Sequence, residues 1–269
     1  MEQMSATPVA VQNSPSAAKK TLIAIAIILA MAISFFLGRS TAPTAAPAED
    51  PSAPAGESQT QQAAPQQPGP EFAPSLEDPQ LLEVVRAEPK RDENDTRALG
   101  DPNAPVVMVA FEDFSCPMCT VFFENVYPEL QGFVTAGELR IEFRDLSIFP
   151  NYGSDKAARG ARAAANQGKF WEFTETAYSE AGAGNHPTYD DARVLEIAEK
   201  ISVADMAKFE ADYNSEEIAN AVQDETHYAL ATLGITGTPF FIINDTVISG
   251  ARPADYFIKT IENQLELAK

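Results

Sequence analysis

The stretch Val106-Val107-Met108-Val109-Ala110-Phe111-Glu112-Asp113-Phe114-Ser115-Cys116-Pro117-Met118-Cys119 decides how this chain is read. Its first residues, Val106 to Phe111, are an unbroken apolar run after the turn-like Gly100-Asp101-Pro102-Asn103, as expected of a buried strand. From Pro117 to Leu130 the pattern turns helical, with Val121, Phe122, Val126 and Leu130 at helical spacing. Cys116 therefore falls where a strand has ended and a helix begins. A helix N-terminus presents unpaired N–H groups and a partial positive charge, and both stabilise a thiolate. Cys116 is expected to be the nucleophile. One helical turn returns Cys119 to disulfide distance, pointing inward as the resolving thiol. The spacer is Pro117, which suits a first turn, and Met118.

The chain has two cysteines, too close together to staple a fold. A tetrahedral zinc site needs four ligands, and only His186 and His227 could add to the pair, without metal-ligand spacing. No metal and no cofactor are expected, and redox use of the pair is the working expectation over an inert pair. Acidic residues outnumber basic ones 39 to 19, for a formal charge of −20. That balance argues against nucleic acid, whose recognition needs clustered Lys and Arg.

Residues 1–20 form a polar tail ending in Lys19-Lys20. Residues 21–38 contain the uncharged run Leu22 to Leu37, the length of a short membrane span. The lysines before it favour a cytoplasmic N-terminus. A cleaved signal peptide is the alternative, and both readings place the rest outside the cytoplasm, where a disulfide persists. Residues 39–80 are a Pro/Ala/Gln-rich linker that cannot offset its ordering entropy. Residues 81–269 are the foldable domain. After the strand at Leu139 to Phe143 come helices at Lys156 to Asn166, Phe170 to Tyr178, Ala192 to Ile201, Ala204 to Tyr213 and Glu216 to Leu233, the last with Ser215 as N-cap. Strands at Phe240 to Ile243 and Thr246 to Ile248 flank an Asn244-Asp245 turn, and a final helix begins near Pro253.

With these elements in place, Phe111 to Cys119, preceded by Leu99 to Val106, resembles the opening of DsbA-like thioredoxin domains. Gly234-Ile235-Thr236-Gly237-Thr238-Pro239-Phe240-Phe241 is similar to the segment that carries that family's cis-proline, and Gly250-Ala251 and the final helix also fit. The resemblance covers roughly residues 90–269 and points to membrane-anchored, actinobacterial-type members. It implies an α/β thioredoxin fold with an inserted helical domain at about 152–233, here preceded by one transmembrane helix and a disordered linker. By the same resemblance Pro239 is cis beside the cysteines, where it blocks metal binding and lets the Thr238 backbone pair with an extended substrate.

One departure matters. Many family members carry a buried carboxylate six residues before the first cysteine, where this chain has Ala110. Glu112 and Asp113 are the candidate proton acceptors for Cys119, and solvated loop carboxylates are the plainer alternative. Their negative charge would oppose thiolate formation at Cys116. Met118 replaces the histidine of some strong oxidants, so a less oxidising pair is expected. His186 and His227 are taken as surface or packing residues, and Trp171 as core of the insertion.

The resemblance implies oxidation of newly exported, reduced or unfolded proteins by a monomer. A membrane reoxidant of DsbB or vitamin K epoxide reductase type would regenerate it. Reductase or isomerase activity with the same residues, and a non-enzymatic metal-delivery or binding role, are the alternatives.

Overall fold

A computed structural model of the chain describes residues 70–182 and 184–269. The expected tail at 1–20, the anchor at 21–38 and most of the linker at 39–80 lie outside the described residues. No helix among the described residues is long and apolar enough to cross a membrane.

A short helix, α1 (Pro79–Arg86), is capped by Asp78, whose carboxylate accepts from the N–H groups of Gln80 and Leu81. Five strands follow: β1 (Ala98–Leu99), β2 (Val106–Glu112), β3 (Leu139–Asp145), β4 (Phe240–Ile243) and β5 (Thr246–Ser249). They form one sheet in the order β1-β3-β2-β4-β5. β2 and β3 run parallel in register from Val106 opposite Leu139 to Glu112 opposite Asp145, and the other pairs are antiparallel. Every residue of β2 and β3 is buried, as a parallel pair covered on both faces requires. Met108 and Ala110 face one core, whereas Val107, Val109 and Phe111 face the other. The expected strands are all present, and β1 is an addition too short to leave a periodic signal.

The crossover from β2 to β3 is two helices, α2 (Pro117–Asn125) and α3 (Tyr127–Thr135), rather than the single one expected over 117–130. Pro128 has no N–H to donate to the Glu124 carbonyl, so the helix breaks at Val126 and restarts. On the sheet, Phe122 of α2 packs on Phe241 of β4 at 4.5 Å, and Phe241 packs on Phe257 at 4.9 Å. Phe257 belongs to α9 (Ala254–Leu267), which begins just after Pro253 rather than at it. Each of these buried rings contributes about 1.5–3 kcal/mol.

Between β3 and β4 lies the helical insertion: a 3₁₀ turn (Pro150–Tyr152), α4 (Ser154–Ala165), α5 (Phe170–Ser179), α6 (Asp191–Lys200), α7 (Met206–Tyr213) and α8 (Glu216–His227). Ser215 caps α8 through Ile218 N–H as expected. Beyond His227 the helix loosens into a π-helical turn, Tyr228–Leu233. Central α4 buries its alanines, and any side chain at Gly160 would come within 2.6 Å of Val194 and 2.7 Å of Phe173. Trp171 is only half-buried and stacks on Tyr127.

A partly buried ion network ties the insertion to the sheet. Arg162 of α4 donates to Asp145 at the end of β3 (2.5 Å) and to Glu225 of α8 (2.7 Å). Glu225 also accepts from Arg97 (2.9 Å) and from the Asp145 N–H (2.8 Å).

Residues 73–76 are not free chain, although they fall within the expected linker. Ala73 is 1% exposed and donates its N–H to Thr260 Oγ1 at 3.0 Å. Leu76 N–H donates to the Asp245 carbonyl at 2.8 Å, and Thr246 Oγ1 donates to the Pro74 carbonyl at 2.7 Å. These are backbone contacts, which composition does not reveal.

Candidate active site

The site sits where β2 ends and α2 begins. Cys116 is the N-cap of α2, in extended conformation, and Pro117 is its first helical residue. Both cysteines are free thiols; Cys116 is 4% exposed and Cys119 is fully buried. Met118 is 44% exposed and forms part of the rim. Across from the motif, the Thr238–Pro239 peptide is cis, and the Cys116 thiol donates to the Thr238 carbonyl at 3.4 Å. Strand register explains the meeting of two distant segments. Phe111 pairs with Phe240, so the residues after β2 and before β4 share one end of the sheet.

The two thiols ionise in opposite senses. A hydrogen bond from the Cys119 thiol, helped by Thr238 and the N–H groups of Cys119 and Met118, lowers Cys116 to about 6 against the opposing effect of burial. Burial pushes Cys119 well above the ordinary thiol range, and its hydrogen bond to Cys116 and the nearby Glu112 push the same way.

Glu112 and Asp113, considered above as solvated loop carboxylates, are both 1% exposed. Glu112 is the last residue of β2, on the Ala110 face, and neither of its oxygens has a hydrogen-bond partner among the described residues. Cys119 faces it short of hydrogen-bond geometry. Burial pushes the Glu112 carboxyl well above the carboxylate range. Its neutral form is thus favoured, which weakens the expected opposition of its charge to the Cys116 thiolate.

Asp113 is a clamp. One oxygen accepts from Ser115 N–H at 2.6 Å; the other accepts from Ile148 and Phe149 N–H at 2.6 and 3.0 Å. It thus joins the motif loop to the segment entering the insertion. Burial raises it to about 6, and those N–H bonds hold it down from a higher value.

Two residues of the site escaped sequence reasoning. His186, expected on the surface or in packing, places Nδ1 2.7 Å from the Ser115 carbonyl and stacks on Tyr152. The rings of Phe114 and Phe123, on either side of the motif, stack on Tyr178 of α5. Tyr178 is buried, and no hydrogen-bond partner for its hydroxyl occurs among the described residues. No sequence signal marks either, because both come from the insertion. His227 is exposed at the end of α8, away from this constellation. No cluster of three or more metal-ligating side chains occurs among the described residues.

A thioredoxin sheet, a helical insertion and a cysteine pair facing a cis-proline define a DsbA-like thiol–disulfide oxidoreductase. The chain belongs to the thioredoxin family, whose model matches residues 92–263, well over half its length. It is similar to disulfide bond formation protein D of Bacillus subtilis, 25% identical over 171 residues that cover 62% of this chain and 76% of that protein. The crystal structure of oxidised BdbD from Bacillus subtilis aligns with a TM-score of 0.57 and 25% identity, covering 63% of this chain and 92% of the other. Wolbachia pipientis α-DsbA1 shares the fold, with a TM-score of 0.57 at 24% identity over 64% of this chain and 92% of the other.

Proposed function

We propose that the protein introduces disulfides into exported polypeptides by exchange at Cys116 and Cys119, held outside the cytoplasm by the anchor expected at residues 21–38. The observation that carries this reading is the placement of the thiols, Cys116 capping α2 against the cis Thr238–Pro239 peptide and Cys119 fully buried behind it, which sets their ionisation apart. Cys116 ionises at about 6, whereas Cys119 stays protonated. A pair whose reduced form is stabilised in this way gives up its disulfide readily to a substrate.

A substrate thiolate attacks Cys116 Sγ, the Cys116–Cys119 bond breaks, and its electron pair leaves on Cys119. A buried Cys119 thiolate is costly, and the protonated Glu112 carboxyl facing it supplies the proton, later regained from solvent. In the reverse direction Glu112 accepts it. The substrate's second thiol, having lost its proton to water, attacks the substrate sulfur of the mixed disulfide. Cys116 then leaves as a stabilised thiolate. Thr238 and Pro239 form the wall along which extended substrate backbone pairs, and Asp113 fixes the loop. Two electrons have passed from substrate to the pair. A membrane, quinone-linked partner of DsbB or vitamin K epoxide reductase type would take them.

The test is the equilibrium of the protein with glutathione, together with its ability to oxidise a reduced, unfolded protein. Stoichiometric oxidation of that protein and a potential well above that of thioredoxin, about −270 mV, are expected. A thioredoxin-like potential without oxidase activity would overturn the oxidase reading in favour of a reductase.

A further inference from the structure

Met118 occupies the spacer position where a histidine could place a cation beside Cys116, yet the fold brings a histidine to the same rim from elsewhere. His186 lies in the connection between α5 and α6. Its Nδ1 is 2.7 Å from the Ser115 carbonyl oxygen, part of the peptide bond that leads into Cys116. The ring is held on two more sides, stacked on Tyr152 (centroids 4.4 Å apart, planes 14° apart) and set against Phe149 (4.5 Å). A carbonyl oxygen only accepts, so Nδ1 carries the proton in both charge states and Nε2 is the atom that titrates.

We infer that His186 is a positioning residue of the exchange site: its Nδ1–H holds the peptide that enters Cys116. This inference rests on the thiol-exchange reading above.

The chain has only two histidines, His186 and His227, so ring-nitrogen NMR on the full-length protein needs no substitution of His186. Neutral His186 should be the Nδ1–H tautomer, with Nδ1–H in a hydrogen bond, in the reduced protein. In parallel, thiolate absorbance of Cys116 is titrated in wild type, in His186→Asn, which keeps an N–H donor but no titrating atom, and in His186→Phe, which keeps only the stack. The Cys116 midpoint should stay near wild type in His186→Asn and rise by about half a unit in His186→Phe, where the loop is no longer held against the N-terminus of α2. The thiolate fraction at pH 6 and the rate of reaction with glutathione disulfide should then fall about twofold or more in His186→Phe. An Nε2–H tautomer, or an unchanged Cys116 midpoint in His186→Phe, overturns the assignment. If His186→Phe fails to fold, the wild-type tautomer decides. Wild-type protein that does not exchange with glutathione at all would instead remove the proposed function.

Discussion

Replacing Glu112 with leucine separates stability from catalysis. The carboxyl is 1% exposed and neither oxygen has a hydrogen-bond partner among the described residues. A buried polar group in that state costs about 1–3 kcal/mol. Its strand face is apolar, with Met108 and Ala110 in the same core. Glu112→Leu should therefore stabilise the reduced protein by about 1–3 kcal/mol, which is roughly 2–4 °C in Tm for each kcal/mol in a domain of this size. Exchange should slow at the same time, because Cys119 loses the group that gives and takes its proton. General acid–base assistance contributes about 100-fold or more, or roughly 3 kcal/mol of barrier. Thermal unfolding of the reduced protein reads the first effect, and stopped-flow exchange with a thiol peptide reads the second. Glu112→Gln, isosteric but without a transferable proton, should be slow with no gain in stability. If Glu112→Leu unfolds more easily by over about 1 kcal/mol while exchanging at the wild-type rate, the carboxyl is a structural partner and the proton-transfer argument fails.

Cys119→Ser should accumulate mixed disulfides through Cys116 on non-reducing gels, and Cys116→Ser should trap none; substrates captured by Cys116→Ser would reverse the assigned roles. Alkylation of reduced Cys116 by iodoacetamide should be near its plateau at pH 7 and fall as pH drops through about 6, where the thiolate protonates. Because that folded-state pKa is depressed, its stabilising effect is complete above the unfolded thiol value of about 8.5 and is lost as pH falls to the folded one. Denaturant melts of the reduced protein, compared with the oxidised one, should show this gain growing between those values. Gly153→Ala should cost on the order of 3 kcal/mol or more by urea unfolding, since Gly153 has φ +80° and a Cβ there would sit 1.8 Å from the Tyr189 carbonyl oxygen. Glu225→Leu should cost roughly 3 kcal/mol or more by the same measurement, because it leaves Arg97, Arg162 and the Asp145 N–H without the oxygen they share.

Much of this could be read from the chain because the decisive signals are local. The Val106 to Phe111 run, the switch to helical spacing after Pro117, and the Asn244-Asp245 turn all lie within a few residues of what they determine. The break at Val126 was also legible, through Pro128, but the apolar spacing across it concealed the interruption. Burial of Glu112 was not legible: strand parity gave its face, while only the tertiary arrangement of α2 and the insertion decides that the face is dry. His186 lay further out of reach, because its partners Ser115, Phe149 and Tyr152 are far away in the chain and join it through the fold of the insertion. The docking of residues 73–76 uses backbone groups, which every residue type possesses.

That docking fixes the end of the domain at which residues 73–76 lie. The chain comes onto the domain beside Asp245 and Thr246, at the turn between β4 and β5. The cysteines lie beyond the other end of β4, whose four residues span about 14 Å. Residues 73–76 thus grip the domain by the pole opposite its reactive sulfur. The face around Cys116 and the Thr238–Pro239 peptide is thereby left clear of residues 73–76, open to an extended substrate.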